Sequence, residues 1–105
     1  METINMDLSA QYFSLEEICY ATQNPSQTII EIVNQGIVEP EGAGPETWLF
    51  NTQMISVTKR ACRLHRDLEI DWSGIALAIS LIEELDQLRD ENQRLRKRLE
   101  RFLDQ

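Results

Sequence analysis

Few residues of this chain could do chemistry. His65 is the only histidine among the 105 residues, and Cys19 and Cys62 are the only cysteines. Cys62 and His65, three positions apart on a predicted helix, could both touch one metal ion. A zinc site takes three or four such ligands, and the sequence offers no further pair at a suitable spacing. His65 stands among arginines, where a packed or solvated role outweighs that of a general base. Cys19 falls on the apolar side of another predicted helix with no base beside it to make a thiolate. It reads as a small apolar residue of a reducing compartment. There is no glycine-rich phosphate loop. The expectation is a protein that is not an enzyme and uses no metal or cofactor.

What the chain does carry is unevenly placed charge. The formal net charge is −8. Residues 1–58 hold eight acids (Glu2, Asp7, Glu16, Glu17, Glu31, Glu39, Glu41, Glu46) and no base, whereas residues 59–105 hold ten of each sign. Such a half repels nucleic acid and anionic membrane and attracts a basic protein surface. Lys59, Arg60, Arg63 and Arg66 form the one basic cluster. Asp67, Glu69 and Asp71 follow directly, so a solvated helix face is favoured over a nucleic-acid patch. Trp48 and Trp72 suit core packing better than interface anchoring. The apolar run Ile75–Ile82 falls well short of the roughly 20 residues that span a bilayer. The first residues show neither the basic nor the apolar region of a secretory signal. A cytoplasmic protein that makes no membrane contact is expected.

The elements that must position these charges are legible from caps and periodicity. Ser14 with Glu17 three residues on makes a capping box, and Phe13 with Ile18 a hydrophobic staple. A short helix follows to about Thr22, burying Leu15, Ile18 and Cys19. Asn24 as N-cap, Pro25 at the first position and Gln27 reaching back predict a second helix ended by a left-handed Gly36. Ile37–Pro40 and Thr47–Phe50 read as paired strands around a glycine- and proline-rich loop, a wing. Asn51 or Thr52 caps a third helix to Leu68, with Met54, Val57, Ala61, Leu64 and Leu68 on one face. Asp71 caps a last helix, stapled by Ile70 and Ile75 and about 30 residues long, or about 45 Å. Residues 1–10 read as a flexible lead or a short edge strand. Two units result, 1–70 and 71–105.

The last helix has heptad character. Leu81, Leu88, Leu95 and Phe102 recur every seventh residue, and Leu85, Asn92 and Leu99 fill the alternate seam position. That seam predicts a partner helix, hence a homodimer. A parallel pair would set Glu84 against Arg89 and Glu91 against Arg96, whereas an antiparallel pair would set the acidic 83–91 segment against the basic 94–101 segment. The residues alone leave both open.

The order of elements resembles the MerR-like winged helix-turn-helix proteins, a mainly α class with a small β-hairpin and a long dimerisation helix. More closely, the chain is similar to the CbpM chaperone-modulator family. The likeness rests on Phe13-Ser14-Leu15-Glu16-Glu17, Gly36-Ile37-Val38-Glu39-Pro40, Thr47-Trp48-Leu49-Phe50, Leu68-Glu69-Ile70-Asp71-Trp72-Ser73-Gly74-Ile75 and Glu91-Asn92-Gln93-Arg94-Leu95. It implies a dimeric regulator that binds the J-domain of a DnaJ-like co-chaperone, CbpA, and inhibits it. MerR relatives dimerise through antiparallel helices, which favours that orientation. Where MerR-type DNA readers carry an arginine and aromatics, this second helix offers Ile29-Ile30-Glu31-Ile32-Val33-Asn34-Gln35, and the wing has no arginine. Protein recognition is therefore expected in place of DNA binding, with a MerR-like transcription regulator as the alternative. Glu16, Glu17, Glu31, Glu39, Glu41 and Glu46 are the candidate J-domain contacts, with Glu83 and Glu84 a second group.

Overall fold

The computed structural model describes residues 11–104, so the lead at 1–10 lies outside the described residues. The chain runs β1 (Tyr12–Phe13), α1 (Leu15–Thr22), α2 (Ser26–Asn34), β2 (Phe50–Asn51), α3 (Thr52–Leu68) and α4 (Trp72–Leu103). Mainly helical with one small sheet, it has the winged helix-turn-helix layout followed by a long final helix.

Three of the four predicted N-caps form. Ser14 Oγ accepts the Glu17 N–H at 3.2 Å, and the Glu17 carboxylate accepts the Ser14 N–H at 2.8 Å. Asn51 Oδ1 accepts the Met54 N–H at 2.8 Å and starts α3. Asp71 does the same for α4 through Gly74. Gly36 ends α2 at φ +77°, and the bonds Gly36 N–H to Val33 O and Ile37 N–H to Ile32 O complete a Schellman motif.

Three expectations are corrected. Asn24 does not cap α2. Pro25 stands at that position, its carbonyl accepting from Thr28 and Ile29, and no side chain caps the helix. The Asn24 amide instead donates to Thr22 O and to Cys62 Sγ on α3, tying the turn to the third helix. Gln27 has nothing to reach back to, because proline has no N–H.

The wing is not a paired hairpin of 37–40 with 47–50. Only Glu41 and Leu49 form a bridge there. The Ile37 N–H is spent on the end of α2 and Pro40 has none, so half of the proposed strand could not donate to a ladder. Phe50 pairs with Phe13, and Asn51 with Tyr12, antiparallel across β1 and β2. The loop turns at Gly42, φ +119°, where a Cβ would stand 2.5 Å from Thr47 O. Only glycine fits there.

Leu68 is the third correction. It lies in the last turn of α3 and is 57% exposed, because α4 packs back onto Ala61 and Leu64 through Trp72, Ile75 and Ile79.

The core has two connected parts. Ile18, Ile29, Ile32, Val38 and Phe50 are buried where α1, α2 and the segments after α2 meet α3. Ala61, Ile75 and Ile79 are buried between α3 and α4. Ile37, Val57 and Trp72 pack against both. The first two turns of α4 therefore belong to the same packed head as the helix-turn-helix. Thr58, inside this head, is fully buried, and its hydroxyl has no hydrogen-bond partner among the described residues.

Candidate functional site

The acids predicted to meet a partner stand on separate elements, and the fold decides which of them come together. Glu16 and Glu17 open α1, where the helix dipole favours negative charge. Glu17 is engaged in the capping box, and Glu16 is exposed. The wing loop folds back so that Glu46 and Pro45 line one shallow hollow of about 300 Å³ with Ser14, Leu15 and Glu16. Glu16 and Glu46, thirty residues apart in sequence, thus share a site.

Glu41 is exposed at the base of the loop, its backbone bonded both ways to Leu49 at 3.2 and 2.8 Å. Glu39 lines a different hollow with Gly36, Ile37, Asn51 and Met54, on the side where α3 begins. Glu31 is half-buried on α2 and accepts a hydrogen bond from the Gln35 amide at 3.1 Å. Glu83 and Glu84 are exposed on α4, beyond the packed head. Of these eight acidic residues, only Glu16 and Glu46 line the hollow at the α1 and wing tip, and the others stand elsewhere on the head and along α4.

No cation opposes them within the helix-turn-helix, since residues 1–58 contain none. The nearest basic residues in the chain, Lys59, Arg60, Arg63 and Arg66, are exposed along α3, and the Arg66 contact to Asp67 at 3.6 Å is a surface pair of little energetic weight.

The residues considered for chemistry have other work. His65 stacks on Trp72, ring centres 3.9 Å apart and 17° from parallel, and its Nδ1 lies 2.7 Å from Ile70 O. A carbonyl only accepts, so Nδ1 carries the proton and the ring braces the α3–α4 corner. Burial pushes the Cys62 thiol up, with the Asn24 hydrogen bond and Arg66 pulling partly against it. Burial also raises Cys19, helped by the charge of Glu16. Both thiols stay protonated near neutrality. Among the described residues no three of His, Cys, Asp and Glu are grouped to hold a metal ion, and no helix is long and apolar enough to cross a membrane.

The second surface is the seam of α4. Leu81, Leu85, Leu88, Leu95, Leu99 and Phe102 are 46–72% exposed on the single chain, and Asn92 is exposed among them. Sequence reasoning missed Leu77 and Leu103, which are 62% and 69% exposed and lengthen the stripe at both ends. Their off-heptad positions hid them. It also missed Tyr20, 88% exposed in the last turn of α1, which stands two residues beyond Ile18 and so off the buried face.

Residues 13–97 match the family described as MerR HTH family regulatory protein. A chaperone modulatory protein CbpM of Pseudomonas putida is 48% identical over 89 residues, covering 85% of this chain and 88% of the relative. The chain belongs to the CbpM family. The CbpM of Pseudomonas entomophila is 46% identical over 88 residues, covering 84% of this chain and 87% of its own length. That of Escherichia coli O1:K1 is 40% identical over 91 residues, with 87% and 90% covered. These CbpM relatives are named for modulating chaperones rather than for a reaction. The family thus sets a regulatory name beside a helix-turn-helix whose first 58 residues, in this chain, hold eight acids and no base.

Proposed function

We propose that the chain is a dimeric modulator that binds the J-domain of a DnaJ-like co-chaperone of the CbpA type and inhibits its stimulation of Hsp70. The observation that supports this reading is the stretch of residues 1–58, which holds eight acids and no base and in which Glu16 and Glu46 line one hollow between α1 and the wing loop. A J-domain presents a basic helix to Hsp70, and a carboxylate-bearing surface laid over that helix occludes it. The mechanism is steric and electrostatic and requires no chemistry. Glu17, Glu31, Glu39 and Glu41 extend the acidic field, with Glu83 and Glu84 as a second contact group. The seam of α4 joins two copies, and the assembly works in the cytoplasm.

The test is a titration of the full chain with an isolated J-domain at two ionic strengths. Binding should weaken with salt, and Glu16→Lys combined with Glu46→Lys should lower the association rate about tenfold or more while changing the dissociation rate much less. An unchanged association rate removes the tip from the interface. Failure to bind any J-domain, together with tight and steeply salt-dependent binding of duplex DNA, would replace this reading with a MerR-like transcription regulator.

A further inference from the structure

Tyr20 is 88% exposed, more than any other large apolar or aromatic side chain among the described residues. The packing of α1 does not call for it, because Leu15, Ile18 and Cys19 supply the face that meets the core. A single exposed aromatic residue is ordinary on a protein surface. Its place in the fold sets this one apart.

Glu16, Tyr20 and Gln23 follow one another at intervals of four and three residues, so they share one face of α1, and all three are exposed. The face spans about 10 Å at 1.5 Å per residue. At its start Glu16 borders the hollow that Pro45 and Glu46 also line. At its end Tyr20 borders a second open hollow, of about 640 Å³, with Cys19, Ala21, Gln23 and Asn24. The ring therefore stands between two carboxylate-bearing residues and an open space beside the turn.

The backbone that presents the ring is tied down. The Thr22 hydroxyl donates to Ile18 O at 2.7 Å, and the Asn24 N–H donates to Cys19 O at 3.0 Å. Gln23, left-handed at φ +57°, donates its N–H to Tyr20 O at 3.3 Å. The Asn24 amide fastens the turn to α3 through Cys62 at 3.2 Å. A partner that lands on the ring has little backbone left to order. The face of a tyrosine ring attracts a cation, and a carboxylate one helical turn away attracts the same charge. Residues 1–58 contain no cation to occupy the place first.

We propose that Tyr20 and Glu16 together seat one cationic side chain of a partner's basic helix, the charge over the ring and beside the carboxylate, with the hollow at the turn taking the carbon stem. This rests on the J-domain reading proposed above and adds the anchor of that contact. The ring holds the complex together once formed, whereas the surrounding acids act on the rate of encounter.

The experiment measures association and dissociation rates of the full chain with an isolated J-domain, for the unsubstituted chain and for Tyr20→Ala, Tyr20→Phe and Tyr20→Leu. The ring is so exposed that thermal melts of all four should coincide. Tyr20→Ala should raise the dissociation rate about tenfold or more at a nearly constant association rate. Tyr20→Phe keeps the ring face and should bind as the unsubstituted chain does, and Tyr20→Leu keeps apolar area without a ring and should behave like Tyr20→Ala. Unchanged dissociation of Tyr20→Ala overturns the inference and leaves the J-domain reading intact. Full binding by Tyr20→Leu overturns the cation seat, since any apolar surface then suffices. Glu16→Gln combined with Tyr20→Ala should cost less than the two single losses together, because one side chain answers to both; additive losses overturn the shared seat. If the unsubstituted chain binds no J-domain, the reading and the inference fall together.

Discussion

Asp71 starts the long helix with one carboxylate, which accepts the Gly74 N–H at 3.0 Å and the Ser73 hydroxyl at 3.1 Å. These bonds hold its carboxyl below the usual carboxylate range against a small opposing effect of desolvation. The folded state therefore favours the ionised form. Its contribution to stability is complete above the unfolded value of about 3.9 and is lost as pH falls through the lower folded value. Asp71→Asn keeps an acceptor oxygen and should flatten this part of the acid limb in thermal melts followed by circular dichroism. Identical acid limbs in the two proteins would show that the carboxylate has no such role. Thr58 makes a second residue-scale case. Its hydroxyl is fully buried with no partner among the described residues, so Thr58→Val should be neutral or stabilising by up to about 1 kcal/mol in urea unfolding. A clear loss would mean that a water or an alternative rotamer satisfies the hydroxyl.

At the scale of elements, four helix starts and stops were legible in signals spanning three or four residues. Ser14 with Glu17, Asn51, Gly36 and Asp71 are of this kind. The misreadings at Asn24 and at the wing share a cause, since each depended on where a polar group could find a distant partner. Asn24 found Cys62, and Phe50 found Phe13. Phe50 is fully buried, stands edge-on to Trp48 at 6.1 Å, and joins the small sheet to the core. Phe50→Ala should cost about 3–5 kcal/mol, enough to leave a small head marginally folded, as denaturant titration would report. The seam makes an independent prediction. Leu88→Gln with Leu95→Gln should give a monomer or an unfolded chain in analytical ultracentrifugation, and a persistent dimer would mean that the partner sits elsewhere.

For the whole molecule the deciding quantity is the distribution of charge rather than its sum. A cation-free stretch over residues 1–58 is joined to a neutral but strongly segregated α4, and the proposal above assigns the first to a basic surface and the second to its own copy. Duplex DNA should accordingly show no anisotropy change with the full chain at low salt, the condition most favourable to phosphate contacts. A strong low-salt signal abolished by reversing Lys59, Arg60 and Arg63 would assign the α3 face to nucleic acid instead.

The amino-acid order by itself determined most of the helix boundaries, the acidic half, the apolar seam and the family likeness, because caps, heptads and charge runs act between neighbours in sequence. Only the tertiary structure decided that β2 pairs with β1, that Asn24 reaches α3, that His65 stacks on Trp72, and that Glu16 and Glu46 line one hollow while Glu39 lines another. Each of these joins residues far apart in the chain. Which distant groups meet depends on the backbone donors left free after the helices close and on the side chains that the packed core turns toward one another.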